Sequence, residues 1–163
     1  RYDLKSTTKS IGVTALGLAL QDERISLDDP ASDHHPSLAV PPESNEETGW
    51  IDRITIRQLA TQTAGFEKPG GYTSLVFEPG TKWLYSDGGP NWLAECLTLA
   101  YGRDLDELMF ERFFTPLGIT REDLVQVGKT FGIRAPERII DQVQAASARW
   151  PAWPTCCIAP APC

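Results

Sequence analysis

Ser6-Thr7-Thr8-Lys9 begins the stretch that decides the fold, because an apolar run follows it and extends to Leu20. Apolar residues recur along this run at Ile11, Ala15, Leu16, Ala19 and Leu20. This spacing is typical of a helix, so we predict a first helix from Ser6 to Gln21 that is buried on at least one side.

On such a helix, Ser6 and Lys9 would lie about one turn apart on the same face. A lysine amine in that place can help to make a serine hydroxyl a nucleophile. The alternative is that Ser6 only caps the helix and that Lys9 is a solvated residue of its first turn. Motifs later in the chain distinguish between these two interpretations.

The composition is that of one soluble globular domain. The chain has 163 residues, of which 41% are hydrophobic and 23% are charged. Its formal net charge of -7 argues against nucleic acids and anionic membrane surfaces as partners. No apolar stretch approaches the roughly 20 residues that span a bilayer. The sequence does not indicate the oligomeric state.

No metal site is predicted from the cysteines and histidines. Their positions are Cys96, Cys156, Cys157, Cys163, His34 and His35. The cysteines form neither a disulfide framework nor a zinc spacing, and we expect Cys96 to be a small buried hydrophobe. The adjacent histidines lie in a proline-rich loop between Asp22 and Pro42, so we expect plain surface residues rather than ligands.

Further helices are predicted from their start and stop signals. Thr55 with Gln58 fits a capping box, and the short helix that it begins should stop before Gly65. A second strong helix is predicted for 90–100, with proline in its first turn and a glycine after its end. The intervening segment 67–81 is rich in turn residues and is predicted to be a functional or covering loop.

A third helix is predicted to begin after the cap Asp104 and to end at Pro116 and Gly118. Its predicted core-facing residues are Leu105, Leu108, Met109 and Phe113. The sequence changes character after about Val127. The pattern of 135–149 fits an amphipathic helix, whereas 150–163 has four prolines and no charge, so we predict neither helix nor strand there. We therefore divide the chain into 1–127 and an atypical tail, 128–163.

Four separated segments carry a family resemblance. They are Ser6–Lys9, Ile25–Pro30, Ile54–Phe66, and a fourth group that runs from Phe77-Glu78-Pro79-Gly80 through Tyr85-Ser86-Asp87 to Phe114–Ile119. Together, and in this order, they resemble the serine β-lactamase and penicillin-binding-protein-like superfamily, nearest to its class C β-lactamase and esterase branch. The resemblance covers residues 1 to about 124.

The resemblance implies a role for each matching residue. Ser6 matches the acyl-accepting nucleophile of a Ser-x-x-Lys motif, and Lys9 matches the lysine that activates it. Tyr85 matches the tyrosine of the Tyr-x-Asn motif, which is a general base toward the nucleophile and an acid toward the leaving group. A phenol with a pKa near 10 can do this only if positive charge favours its phenolate. Whether Lys9 or Tyr85 takes the proton remains open at this point.

Two substitutions depart from the family pattern. Asp87, predicted to bind substrate, replaces the usual Asn, and an ionised carboxylate only accepts hydrogen bonds where an amide also donates them. This change weakens a β-lactamase or D-Ala-D-Ala peptidase interpretation and favours an esterase-like one. Gln62 stands where the family often has a histidine.

The third family motif, Lys-Thr-Gly or His-x-Gly on a late strand, has no matching position. The segment Gly128-Lys129-Thr130 lies only about 40 residues past Tyr85, too near for the family's order. The resemblance therefore implies an α+β fold of the β-lactamase/transpeptidase type that is truncated. We expect this chain to be mainly its helical part, with most of the antiparallel sheet missing.

The leading hypothesis is a serine hydrolase that cleaves a small-molecule ester or amide through an acyl-serine intermediate, without metal or cofactor. One alternative is a non-catalytic fragment or interaction module of the same fold. Another is a D,D-peptidase-like enzyme of peptidoglycan, which Asp87 disfavours. For a bacterial member, the resemblance implies a periplasmic or secreted location.

Overall fold

The computed structural model describes residues 2–3, 6, 8–68, 71–121, 124–127 and 155–158. Its α-helices are α1 (Thr8–Gln21), α2 (Ile56–Thr61), α3 (Gly88–Tyr101) and α4 (Leu105–Met109). Its strands are β1 (Tyr2–Asp3), β2 (Leu124–Val127) and β3 (Thr155–Ile158). Short 3-10 helices cover Ala31–Asp33, Glu43–Thr48, Ile51–Arg53 and Thr115–Leu117, and a π-helical turn covers Phe110–Phe114.

Helix α3 lies at the centre of the core and packs against α1, α2 and α4. Trp92, Cys96 and Leu97 of α3 are fully buried, which confirms the prediction for Cys96. Gly89 lets α3 approach α2 closely, because a Cβ at this position would lie 2.9 Å from the backbone oxygen of Leu59. The first turn of α3 is thereby fixed against α2.

The predicted capping box is confirmed at the start of α2. The Thr55 hydroxyl accepts from the Gln58 N–H at 3.2 Å, and the Gln58 side chain accepts from the Thr55 N–H at 3.0 Å. These two bonds satisfy donors that the first helical turn leaves free. The helix ends at Gln62, whose backbone is left-handed with φ 65°, so the predicted stop before Gly65 is confirmed as well.

The other predicted helices exist with shifted ends. Helix α1 begins at Thr8, so Ser6 lies just before the helix instead of on it. Helix α3 begins two residues before the predicted proline start. The Asp104 side chain caps α4 by accepting from the Asp106 N–H at 2.8 Å. Beyond Met109 the predicted third helix continues as the π-helical turn.

The three strands form an antiparallel sheet in the order β1-β3-β2, in which Ile158 lies opposite both Tyr2 and Leu124. The prediction that 150–163 contains no strand is therefore wrong for β3. The prolines of this segment flank β3 without interrupting it, and the strand has β-branched residues at both ends, which favour a pleated backbone. The predicted helix over 135–149 and the segment 128–130 lie outside the described residues.

A polar cluster is buried between α3 and the preceding loops. We call His35, Tyr72, Trp92 and Glu95 the buried cluster. The exposed fraction of His35 is 1%, so its prediction as a plain surface residue is wrong. Its Nε2 lies 3.0 Å from the Glu95 carboxylate, without the alignment of a hydrogen bond, and its Nδ1 accepts from the Ser37 N–H at 3.1 Å. The sequence could not show this, because Glu95 comes from an element 60 residues later.

The described residues include no helix that is long and apolar enough to cross a membrane.

Candidate active site

The start of α1 and the segment before α3 meet at one place on the surface. Ser6 and Lys9 come from the first of these segments, and Tyr85 and Asp87 come from the second. We call these four residues the α1–α3 site. The sequence separates its two halves by more than 70 residues, and the packing of α1 on α3 brings them together.

The two pairs of the α1–α3 site are directly bonded. The Tyr85 hydroxyl donates to the Ser6 hydroxyl oxygen at 2.7 Å, and Ser6 is exposed. The Lys9 ammonium donates to the Asp87 carboxylate at 2.5 Å. Side-chain exposure is 16% for Lys9 and 22% for Asp87, so this ion pair is more shielded than a free surface pair. Lys9 also lies 5.1 Å from the centre of the Tyr85 ring.

The surroundings of Tyr85 favour its phenolate. The hydrogen bond with Ser6 contributes most to a lowered pKa of the Tyr85 phenol. The hydrogen bond and the positive charge of Lys9 lower this pKa further, while partial burial and the Asp87 charge oppose the shift. A tyrosine whose pKa lies below the ordinary value gives up its proton more readily near neutral pH than a free tyrosine does.

The surroundings of Lys9 favour its charged form. Burial, the largest single effect, pulls the pKa of the Lys9 ammonium down, but the hydrogen bonds and charges of Asp87 and Tyr85 outweigh it and raise this pKa. A lysine that remains charged cannot accept a proton from serine. Of the two possible proton acceptors, the electrostatics therefore favour Tyr85 over Lys9.

Asp87 is held at both its side chain, by Lys9, and its backbone. Its backbone carbonyl accepts from the Asn91 N–H at 3.1 Å, which joins Asp87 to the first turn of α3. An Asn in its place would leave Lys9 without a countercharge. One of the two substitutions that depart from the family pattern thus supplies the carboxylate of the ion pair.

Lys68 is a neighbour of the site that the sequence did not identify. Its ammonium lies 4.4 Å from the centre of the Tyr85 ring. Lys68 is exposed, and no carboxylate of the described residues forms an ion pair with it. It belongs to the turn-rich segment 67–81, whose composition indicated a functional loop but not which residue would reach the site.

Within the described part of the chain, no three His, Cys, Asp or Glu residues are grouped so that they could hold a metal ion. The four side chains of the α1–α3 site are a hydroxyl, an ammonium, a phenol and a carboxylate. This is the chemistry of nucleophilic attack with proton transfer.

Comparisons with known proteins find hydrolases among the relatives of this chain. A beta-lactamase from Pseudomonas fluorescens is 26% identical over 133 residues, which cover 72% of this chain and 35% of that protein. A lovastatin esterase from Penicillium rubens is 30% identical in an alignment that covers 74% of this chain and 41% of the esterase. The chain thus spans between a third and a half of the length of these relatives.

A solved structure shows the same fold. The crystal structure of a novel penicillin-binding protein homolog from Caulobacter crescentus superimposes with a TM-score of 0.58 at 19% identity. The match covers 86% of this chain and 38% of that one. The family model described as Beta-lactamase matches residues 1–126, which include all four residues of the α1–α3 site. The chain therefore belongs to the beta-lactamase family, within the β-lactamase and penicillin-binding-protein-like superfamily of serine hydrolases.

Proposed function

We propose that this chain carries the nucleophile half of a serine hydrolase that cleaves esters, and less readily amides, through an acyl-serine intermediate. The observation that carries the proposal is the 2.7 Å contact between Ser6 and Tyr85, with the ammonium of Lys9 beside the phenol ring. A nucleophile within hydrogen-bonding reach of its base is the geometry that such catalysis requires.

Tyr85 first loses to the solvent the proton that it donates to Ser6, so that its phenolate accepts from the Ser6 hydroxyl across the same 2.7 Å contact. In the first step of catalysis, the Ser6 oxygen then forms a bond to the substrate carbonyl carbon, and its proton passes to the Tyr85 phenolate. The carbonyl carbon then releases the alcohol or amine, which takes that proton from Tyr85. In the second step, Tyr85 removes a proton from water, which attacks the acyl group, and Ser6 regains its proton as it leaves. Tyr85 ends each cycle as it began.

Lys9 acts electrostatically in this proposal. Its charge lowers the free energy of the Tyr85 phenolate, and the Asp87 carboxylate holds the ammonium in place at 2.5 Å. An ester is favoured over a β-lactam because Asp87 offers a paired carboxylate where family members offer an amide that can donate to a substrate amide. One of the two relatives is named as a beta-lactamase and the other as a lovastatin esterase, so their names include both the β-lactam and the ester class of substrate.

Covalent labelling tests the proposal directly. The chain is incubated with a fluorescent fluorophosphonate or with a fluorescent penicillin, and the adduct is located by mass spectrometry. We expect a fluorophosphonate adduct on Ser6 that is absent from Ser6→Ala, with slower labelling by penicillin. Ser10, an exposed serine on α1, provides the matched control because Ser10→Ala should label normally. A cooperatively melting chain that takes neither label at Ser6 would contradict the proposal.

The second candidate is that residues 1–163, tested by themselves, hold the nucleophile without turning over substrate. These residues match 35% and 41% of the lengths of the two relatives. Acyl transfer also needs donors for the developing oxyanion, and losing one such donor costs about 3 to 4 kcal/mol of transition-state stabilisation. Ser6 labelling without turnover of an ester such as p-nitrophenyl acetate would support this candidate, because it separates an assembled nucleophile from a complete catalyst.

A further inference from the structure

Gln62 occupies an unusual position at the end of α2. Its backbone is left-handed, with φ 65° and ψ 30°, although it is not a glycine. Such a conformation is uncommon for residues with a side chain. It turns the chain so that both the backbone carbonyl and the side chain of Gln62 face the segment that carries Tyr85.

Three hydrogen bonds join Gln62 to the two residues that flank Tyr85. Its backbone carbonyl accepts from the Leu84 N–H at 3.1 Å. Its side-chain oxygen accepts from the Ser86 N–H at 2.9 Å and from the Ser86 hydroxyl at 3.1 Å. Ser86 is 2% exposed, so water cannot readily replace the two bonds that Ser86 makes to Gln62. Tyr85 itself makes none of them, and its phenol is left directed at Ser6.

We propose that Gln62 is the positioning residue of Tyr85, an inference that rests on the proposed function of Tyr85 as proton acceptor. Gln62 holds the backbone on both sides of Tyr85, and this determines where the phenol lies relative to Ser6 and Lys9. The close approach of Gly89 to the backbone of Leu59 fixes the last turn of α2 against α3. Through its bonds to Leu84 and Ser86, Gln62 fixes the position of Tyr85 relative to α2 and α3.

The chemistry of the contact favours a glutamine. Two donors of Ser86 converge on one oxygen, and a carbonyl oxygen has two lone pairs with which to accept them. A neutral histidine, frequent here in the family, has one ring nitrogen that accepts. A methionine has nearly the length of glutamine but only a weak acceptor, so it would leave the buried Ser86 N–H without an adequate partner.

The test compares Gln62, which follows α2, with Gln58 inside α2. Gln62→Met removes the contact with Ser86, whereas Gln58→Met removes the capping bond to Thr55 and does not touch the segment of Tyr85. For each chain, the pKa of Tyr85 is measured by the ultraviolet absorbance of its phenolate, with the Tyr85→Phe chain subtracted. The rate of Ser6 labelling by fluorophosphonate and the thermal melt are measured on the same samples.

We expect Gln62→Met to raise the pKa of Tyr85 toward the ordinary value and to slow labelling about ten- to a hundredfold, as small misplacements of reacting groups do. Gln58→Met should lower the melting temperature without changing the pKa of Tyr85. If Gln62→Met does not fold, Ser86→Ala removes one of the two side-chain bonds, and the same upward shift is expected. A folded Gln62→Met or Ser86→Ala chain with the parent's Tyr85 titration would overturn the inference. A parent chain that takes no label contradicts the proposed function instead, and the titration still decides the role of Gln62.

Discussion

The α1–α3 site and the buried cluster contain the same kinds of group in different surroundings. Each has a tyrosine, a carboxylate and a nitrogen base. In the buried cluster the phenol of Tyr72 donates directly to the Glu95 carboxylate, and His35 approaches the other carboxylate oxygen. In the α1–α3 site the carboxylate faces Lys9 instead, so the phenol of Tyr85 is left for Ser6.

The two tyrosines therefore differ in their readiness to lose a proton. Burial raises the pKa of the Tyr72 phenol far above its ordinary value, and the charge and hydrogen bond of Glu95 add to this effect. The pKa of Tyr85 is lowered by its contacts with Ser6 and Lys9. The arrangement of partners thus shifts the pKa values of the two tyrosines in opposite directions, and we propose that only Tyr85 takes part in chemistry. The following substitutions test this contrast.

Replacing each tyrosine by phenylalanine should separate activity from structure most clearly. We expect Tyr85→Phe to slow Ser6 labelling by about 10²- to 10⁴-fold, the usual contribution of a positioned acid–base group, with an unchanged melting temperature. Tyr72→Phe should label at nearly the parent rate. The measurement is the rate of fluorophosphonate labelling at one pH. Equal rates for both variants would remove the distinction between the two tyrosines.

Replacing the carboxylate of each region by alanine should destabilise the fold more in the buried cluster than in the α1–α3 site. Glu95→Ala leaves the buried His35 and Tyr72 without their shared partner, and the loss of one member of a buried polar pair costs about 3 kcal/mol or more. Asp87→Ala breaks a pair that solvent reaches, and we expect a loss of about 1 kcal/mol or less. Urea unfolding of both variants measures the difference. A larger loss for Asp87→Ala would contradict it.

The stability of the fold should decrease in alkali because of Tyr72. Its folded pKa is raised, so above about pH 10 the unfolded chain has lost this proton and the folded chain retains it. The free energy of unfolding should then fall by about 1.4 kcal/mol per pH unit for this group. Burial and Asp22 raise the pKa of Tyr101 to about 12, and this adds a parallel loss.

Tyr72→Phe isolates the contribution of Tyr72, since both chains retain Tyr101. The variant is expected to lose stability less steeply than the parent between pH 10 and 11, as followed by urea unfolding at each pH. Parallel slopes in the two chains would show that Tyr72 has no raised pKa.

The α1–α3 site was predicted from the sequence far better than the buried cluster, and the reason is physical. Ser6, Lys9, Tyr85 and Asp87 lie in short motifs beside helix starts, and the family resemblance of those motifs singled them out. His35 has no local signal of burial, because its environment is made by Glu95 and Trp92 of a distant helix. Capping residues such as Thr55 were predictable for the same reason as the motifs, since their partners lie three residues away.

Strand β3 and Lys68 show the two other limits of prediction from sequence. A strand of four residues between prolines forms because it pairs with distant strands, whereas the composition of this segment predicted no strand. The Lys68 ammonium lies 4.4 Å from the centre of the Tyr85 ring, and the sequence cannot show this because the position of a loop residue depends on the elements against which it packs. The loop 67–81, to which Lys68 belongs, also delivers Tyr72 to the buried cluster, so one segment contributes to both regions.

The smallest expected effect is that of Lys68. Its substitution tests whether a second positive charge, besides that of Lys9, lowers the pKa of Tyr85. An exposed cation over an aromatic ring interacts with it only weakly, so Lys68→Ala should slow labelling only about two- to fivefold. It should also raise the pKa of Tyr85 slightly, because a positive charge favours the phenolate. Lys82→Ala provides the control, since Lys82 is also exposed and has no ring contact with Tyr85. Both variants are compared at low and at high salt, and only the Lys68 effect should shrink as salt screens an exposed charge. An equal effect of the two substitutions would mean that Lys68 acts through the net charge of the chain and not through its position over Tyr85.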